Sequence, residues 1–483
     1  MDAGSKGLDA VGEASDASER LAKRREAMEA ISRRDMTARA IRMVWPAMVE
    51  STLQSTIRIV TSGLLGHIPV YSALAVSASG LAERITRLAW CVFAAVSTGA
   101  TVMVARATGA GNRDRANRFA EQALLVAAIM IAVITAILLI FPAGLINTLY
   151  NRAGQLDAGL VAMAINYLRL TAWGVPFMAV TQIIGALTRG CANTRVSMIS
   201  NTAANIANAI IGYILIYGRF GAPALGLAGA GTASVISQGI GAMIALTLFI
   251  RYQDDLRVNF KRLSLKWPMI REMFGIGVPN ASEQLLGQFG QIALAGIIGS
   301  MGVVELAAHN QGITAESLSY MPSMGFSIAA TTLVSMSLGA GSVTLAQRYI
   351  KLLLQWNIAL TAITASCLIF IPRQIFSLLS NDQAVINLGA IYLIIMGFCQ
   401  FPQQSTGVYA GVLRSGGDAK ATLLFNMIGL WFVRLPLSFL FTSKMFGWGI
   451  IGVWSAMAID IVVRFALTFI RYRGGKWKQA ISI

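Results

Sequence analysis

The sequence predicts an all-α integral membrane protein with twelve transmembrane helices in two six-helix bundles, related by a pseudo-two-fold axis as a parallel repeat. Three observations carry this prediction. First, only 13% of the 483 residues are charged while 55% are hydrophobic, and the mean hydropathy is +0.63; a soluble domain is about 25% charged. Second, uncharged runs such as Gln122–Ile146 exceed the roughly 20 apolar residues that cross a hydrocarbon core. Third, the first half of the chain can be laid over the second.

Taken in order, residues 1–37 are polar rather than an apolar leader and read as a cytoplasmic tail, either a disordered extension, which is the favoured reading, or an amphipathic surface helix. Six spans follow at 38–66, 72–108, 118–146, 158–189, 196–217 and 225–250, forming a first lobe over 38–250. A basic linker occupies 251–266. Six more spans lie at 267–299, 303–338, 346–372, 384–413, 421–443 and 450–471, forming a second lobe over 267–471 before a tail at 472–483. Lys and Arg crowd the amino-terminal tail, the loop at Arg113, Arg115 and Arg118, the linker and the carboxy-terminal tail, and are sparse in the intervening loops. That alternation is the positive-inside pattern. It predicts a multi-pass protein of the plasma (cell inner) membrane with both termini cytoplasmic, and it explains the net charge of +17 without a nucleic-acid partner. Cys91, Cys191, Cys367 and Cys399 have no metal-ligand spacing and read as small core residues.

The internal repeat is explicit in the residues. "PAMVESTLQSTIRIVTSGLLG" from Pro46 matches "PNASEQLLGQFGQIALAGIIG" from Pro279, pairing Glu50 with Glu283; the same shift pairs Glu83 with Glu316. "TGAGNRDRANRF" matches "LGAGSVTLAQRY", pairing Gly109 with Gly339 and Arg118 with Arg348. "LTRGCANTRVSMISN" matches "VLRSGGDAKATLLFN", pairing Arg189 with Arg414 and Asn201 with Asn426, and "LGLAGAGTASVIS" matches "WGIIGVWSAMAID". Six spans per half give both halves one orientation, and parallel repeats place a substrate site between them near the midplane.

Charges inside spans are costly and mark function by default. In the first lobe, Glu50, Gln54 and Arg58 share a helix face, and Glu83 sits one turn from Arg87 beside Arg84. One reading is a compensated charge network; the other is a lined cavity. In the second lobe no Lys or Arg lies between Arg271 and Arg348. The stretch nonetheless carries Glu283 and Glu316, with His309, Glu316 and Tyr320 on one helix face and Asn280, Glu283, Gly287 and Gln291 on another, Gln288 adjoining. A buried carboxylate lacking a basic partner can cycle between protonated and ionised forms, or hold Na⁺ or an organic cation when ionised. Glu283, Glu316, His309, Glu50 and Glu83 are therefore the candidate coupling residues, with Na⁺ as an alternative ligand of Glu283 and Glu316 and no other metal expected. Asp460 and Arg464, one turn apart, read as a local ion pair, and Arg434 as structural or interfacial. Pro46 and Pro279 are repeat-paired candidate hinges; Pro176, Pro322 and Pro402 also interrupt spans.

These repeated blocks, above all "TGATVMVARATGAGN", "LTRGCANTR", "LGLAGAGTASVISQ", "LAAHNQGI" and "YMPSMGFSIAATTLVSMSLGAG", occur in the order in which the multidrug and toxic compound extrusion (MATE) family carries them, and the chain resembles that family from about residue 40 to 470. The resemblance implies an exporter of organic cations and amphipathic compounds driven by proton or sodium entry. It does not carry over the family's coupling residues. The first-helix Asp position reads Thr61, and the Glu that one branch places eight residues after the seventh-helix Pro reads Gly287.

The expected function is thus secondary antiport of drugs, organic cations or amphipathic metabolites against H⁺ or Na⁺ by a monomer in a lipid bilayer, with no cofactor. The alternative is a flippase or exporter of anionic or lipid-linked substrates that uses Arg58, Arg84 and Arg87. An enzyme is not expected, because no HExxH, nucleophile elbow or phosphate loop is present.

Overall fold

The computed structural model describes residues 22–66, 72–150, 157–251, 256–258, 264–380, 382–443 and 445–481, with the side chains of 58–63, 65–66, 72–73, 150 and 480–481 left out. A short helix, α1, covers residues 22–29. The first lobe comprises α2 (Arg33–Gly66), α3 (Ser72–Ala110), α4 (Arg113–Ile140), α5 (Pro142–Tyr150), α6 (Ala158–Ala172), α7 (Val175–Gly190), α8 (Arg195–Tyr217) and α9 (Leu227–Arg251). The second comprises α10 (Trp267–Gly299), α11 (Val303–Gly339), α12 (Val343–Phe370), α13 (Pro372–Ser377), α14 (Gln383–Ser415), α15 (Ala419–Met427), a π-helical turn (Ile428–Arg434), α16 (Leu435–Thr442) and α17 (Gly449–Arg473). A 3₁₀ turn follows over Lys476–Ile481.

Among the described residues nine helices are long and apolar enough to cross a membrane, or ten when α6 and α7, bent by 49° at their junction, count as one. α2 and α10 complete the twelve. At 34 and 33 residues and about 1.5 Å per residue, each outreaches the roughly 30 Å hydrocarbon core, and each bears one of the polar stripes. α2 begins at Arg33, inside the stretch read as tail, and residues 22–29 are helical where the sequence reading favours a disordered extension.

The helices run unbroken through Pro46, Pro279, Pro322 and Pro402. Of the five prolines expected to interrupt spans, Pro176 alone lies at a break, where it opens α7, because a proline lacks only an amide that the first turn leaves unpaired anyway.

The "GAGN" and "GAGS" turns are built alike. Gly111 and Gly341 take φ of +77° and +75°, which a side chain resists. Asn112 and Ser342 then cap α4 and α12 by accepting the amides of Arg115 at 2.9 Å and Leu345 at 3.1 Å.

The lobes meet at the end that carries these turns, and the contact obeys the repeat. The start of α2 (Met36, Ala40, Met43, Val44) packs into the second lobe's core with α11, α12 and α14. The start of α10 (Ile270, Met273, Ile276) packs into the first lobe's core with α3 and α4. Glycines permit the approach: Gly109 lies on the backbone of Met336 and Gly339 on the backbone of Arg106, while Gly277 meets the carbonyl of Ala95 and Gly325 that of Val44. Arg106 also donates to the Ser415 carbonyl across the seam at 3.2 Å, and Arg115 pairs with Glu272 at 3.4 Å. Halfway along the bundle, Ser55 and Ser317 hydrogen-bond across the lobes at 3.1 Å. Farther from the glycine seam, Trp90, Phe289 and Ile292 are exposed.

Candidate functional site

The repeat-paired residues converge in both lobes. In the first, α8 brings Asn201 to α2, where its Nδ2 donates to Glu50 Oε1 at 2.7 Å; Arg189 from α7 lies within electrostatic reach of that carboxylate and donates to Ser197 at 2.7 Å. In the second, α15 brings Asn426 to α10, where its Nδ2 donates to Glu283 Oε1 at 2.7 Å. Arg414 from α14 places Nη1 3.9 Å from Glu283 Oε2 and donates to Ser327 at 3.3 Å. The expectation that Glu283 has no basic partner is therefore corrected. Its partner comes from another helix, more than a hundred residues along the chain.

The second lobe adds a charge cluster whose Asp460 and Arg464 have no charged residue at the repeat-equivalent positions of the first. Asp460, fully buried, binds Arg434 at 2.7 Å and Arg464 at 2.8 Å. Arg464 Nη1 also donates to Asn426 Oδ1 at 2.8 Å, so a chain of contacts runs from Arg434 through Asp460, Arg464 and Asn426 to Glu283. Two local features permit it. The π-helical turn ends at Arg434, which lies buried against Asp460, and Gly429 leaves room that a Cβ would take from the Asp460 carboxylate and the Arg464 stem. The reading of Asp460–Arg464 as a local pair captured one contact of this cluster. At the repeat-equivalent positions of Asp460 and Arg464 the first lobe has Ser237 and Gly241, an asymmetry that the alignment of the halves contains.

Beside this chain lies a cavity of about 200 Å³ lined in part by Glu283, Gly287, Gln291, Gln403, Asn426 and Arg464. Two oxygens of its lining residues, Glu283 Oε2 and Gln403 Oε1, are buried and receive no hydrogen bond from the described residues. Both are acceptors, open to a proton or another donor, and the same lining carries the Arg434 and Arg464 side chains.

Glu316 is outside the cavity lining, buried between α11 and α14, with the Gln403 side chain of that lining among its hydrogen-bond partners. Tyr392 donates to its Oε2 at 2.6 Å and Gln400 to its Oε1 at 3.2 Å. Gln400 in turn accepts from Ser319 at 3.0 Å and from Gln404 at 2.7 Å, and Gln404 accepts from Ser323 and Thr361. His309 lies edge-on to Tyr392 and accepts from Trp454 Nε1 at 3.3 Å. Glu316 and His309 thus share a partner, while Tyr320, on the same helix face, is half-buried. Tyr392 and Gln400 escaped the sequence reading because hydrogen bonds between helices leave no spacing signal.

The remaining candidates separate. Asn280 turns to the first lobe and donates to Thr98 at 2.9 Å, away from the cavity. Gln288 is half-buried, and Gln54 is exposed. Glu83, Arg84 and Arg87 are exposed on α3, and the Arg58 side chain lies outside the described residues.

Comparison with known proteins agrees with the geometry. The sequence pattern of the MatE family matches residues 46–214 and 279–440, one copy for each lobe. The chain is 30% identical over 442 residues to the probable multidrug resistance protein NorM of Thermotoga maritima, covering 91% of this chain and 92% of that one. It is 27% identical over 399 residues to the multidrug resistance protein MdtK of Pectobacterium atrosepticum, covering 82% and 85%. Among solved structures, a MATE in complex with MaL6 superposes with a TM-score of 0.84 at 17% identity, covering 92% of this chain and 96% of that one. A mutant of the Vibrio cholerae MATE transporter VcmN superposes with 0.83 at 17%, covering 91% and 97%. With both halves matched in order and the twelve-helix, two-bundle fold in place, the chain belongs to the MatE family.

Proposed function

We propose that the protein is a secondary active antiporter that exports organic cations, drugs or amphipathic metabolites in exchange for H⁺ or Na⁺ by alternating access, with Glu283 as the coupling carboxylate. The observation that supports this most is the buried Glu283 Oε2, which accepts no hydrogen bond among the described residues and has Arg414 as its basic partner at 3.9 Å, in a cavity lining where Gln403 Oε1 is a second acceptor without a hydrogen bond. A proton, a sodium ion and a substrate cation would compete for those oxygens. Glu316 is a second carboxylate in the same lobe, held by Tyr392 and Gln400, and Glu50 with Asn201 is the repeat counterpart in the first lobe.

In the cycle we infer, the lobes closed at the basic-loop end correspond to the outward-facing form, both termini being cytoplasmic. An ion entering from outside neutralises Glu283 and displaces the bound cation. The neutral site favours separation at the glycine seam, where the ion leaves inward and a new cation enters. A tenfold gradient contributes about 1.4 kcal/mol per monovalent ion and a membrane potential of 100 mV about 2.3 kcal/mol, so one ion per cycle supports modest accumulation.

Efflux of a fluorescent organic cation from proteoliposomes, under an imposed proton gradient and then a sodium gradient, tests the reading. Transport under either gradient supports it and identifies the ion. The exposed Arg84 and Arg87 favour a second reading, an anionic or lipid-linked substrate; absence of cation transport by folded protein under both gradients would select it.

A further inference from the structure

A segment outside both bundles bridges them at the glycine seam. On the first lobe, Arg24 Nε donates to the Gly109 carbonyl at 3.0 Å and Arg24 Nη2 to the Thr108 carbonyl at 3.2 Å. The guanidinium therefore covers the last carbonyls of α3, where a helix leaves unpaired acceptors and the negative end of its dipole. On the second lobe, Ser342 donates to the Glu29 carboxylate at 2.7 Å, and Arg348 donates to the Glu29 backbone carbonyl at 3.0 Å. Met28 and Ile31 pack against the second lobe's core beside them.

The docking follows the repeat. The stretch before α2 docks on α12. The stretch before α10 docks on α4, the repeat counterpart of α12: Gln122 accepts the Lys266 amide at 2.8 Å, and Asn117 accepts the Arg257 amide at 2.9 Å. Each lobe thus receives the segment that leads into the other. The amino-terminal segment differs in also gripping the end of α3 through Arg24.

A segment held by charged contacts on both lobes cannot keep both when they part. We propose that residues 22–31 are a latch that stabilises closure at the glycine seam and releases each time the protein opens there. Its mechanical consequence for transport rests on the alternating-access reading; the latch itself does not.

The test uses the full chain, with Cys91, Cys191, Cys367 and Cys399 replaced by Ala and spin labels at Arg113→Cys on α4 and Lys351→Cys on α12, both exposed. Electron–electron distance measurement then reads lobe separation with no substrate or gradient, so that failure of the latch is distinct from failure of the transport reading. Arg24→Gln combined with Glu29→Ala removes three hydrogen bonds to the lobes and is expected to raise the open-to-closed ratio at least about tenfold, the factor that loss of even one charge-assisted hydrogen bond carries. Arg24→Lys is expected to fall between. Arg34→Ala, which removes the same charge from exposed surface nearby, is expected to leave the ratio unchanged. An unchanged distance distribution in the double variant, or an equal shift in Arg34→Ala, would overturn the proposal.

Discussion

Replacing Asp460 by Asn keeps its size and removes the charge of a fully buried side chain. The Arg434 and Arg464 side chains are 6% and 23% exposed. The substitution leaves two guanidinium groups facing a neutral amide. Breaking a buried pair by removing one partner costs about 3–5 kcal/mol, and the partial exposure of Arg464 favours the lower end. An unfolding entropy of about 2.1 cal/mol/K per residue, over 483 residues, is about 1 kcal/mol per degree. Asp460→Asn should therefore lower the thermal midpoint by about 3–5 °C, read by fluorescence-detected size exclusion after heating in detergent. Adding Arg434→Gln should restore part of the loss, because only one uncompensated charge then remains. If Asp460→Asn melts with the parent, or if the second substitution deepens the loss, Asp460 does not hold the two arginines and the chain to Glu283 is not electrostatic in origin.

Three further predictions follow from the geometry. Gly339→Val places a side chain against the Arg106 backbone of the other lobe, which cannot yield; it should widen the label separation between α4 and α12, and an unchanged separation would show that the seam is not the closure. Tyr392→Phe removes the 2.6 Å bond to buried Glu316, worth about 1.5–3 kcal/mol, and should lower the thermal midpoint by roughly 2–3 °C; no change would mean that the bond is not formed. The Ser342 hydroxyl, and then Arg25, hold the Glu29 carboxyl below the ordinary glutamate range. A depressed carboxyl contributes stability above its unfolded pKa and loses it as pH falls through the folded value. Glu29→Gln should thus flatten the acid side of the stability profile, and superimposable profiles would refute the contact.

Much of the site is legible as a comparison of the chain with itself. The alignment of the halves pairs Glu50 with Glu283, Arg189 with Arg414 and Asn201 with Asn426. The fold assembles each trio in its own lobe with the same 2.7 Å amide-to-carboxylate bond. The alignment could not say that the paired residues touch, because the three helices of a trio are separated by loops whose geometry no periodicity encodes. Counting charges along one stretch failed for the same reason: Glu283 has no basic neighbour in sequence between Arg271 and Arg348, yet Arg414 reaches it from α14. Arg434 joined Asp460 through a π-helical turn and a glycine gap, and neither has a spacing signature. The latch lay in a polar tail that composition alone assigns to solvent, although Arg24, Glu29, Ser342 and Arg348 are each unremarkable surface residue types.

The central claim, that Glu283 couples the ion to the substrate, is tested most directly by comparing Glu283→Gln with the parent protein in proteoliposomes, in two modes. One is accumulation of a fluorescent cation driven by a proton or sodium gradient; the other is gradient-free exchange of labelled for unlabelled substrate. The account predicts that Glu283→Gln loses gradient-driven accumulation while retaining exchange, since the cavity survives and only the carboxylate is gone. A variant that accumulates substrate as well as the parent would contradict it and move the coupling site to Glu316 or Glu50.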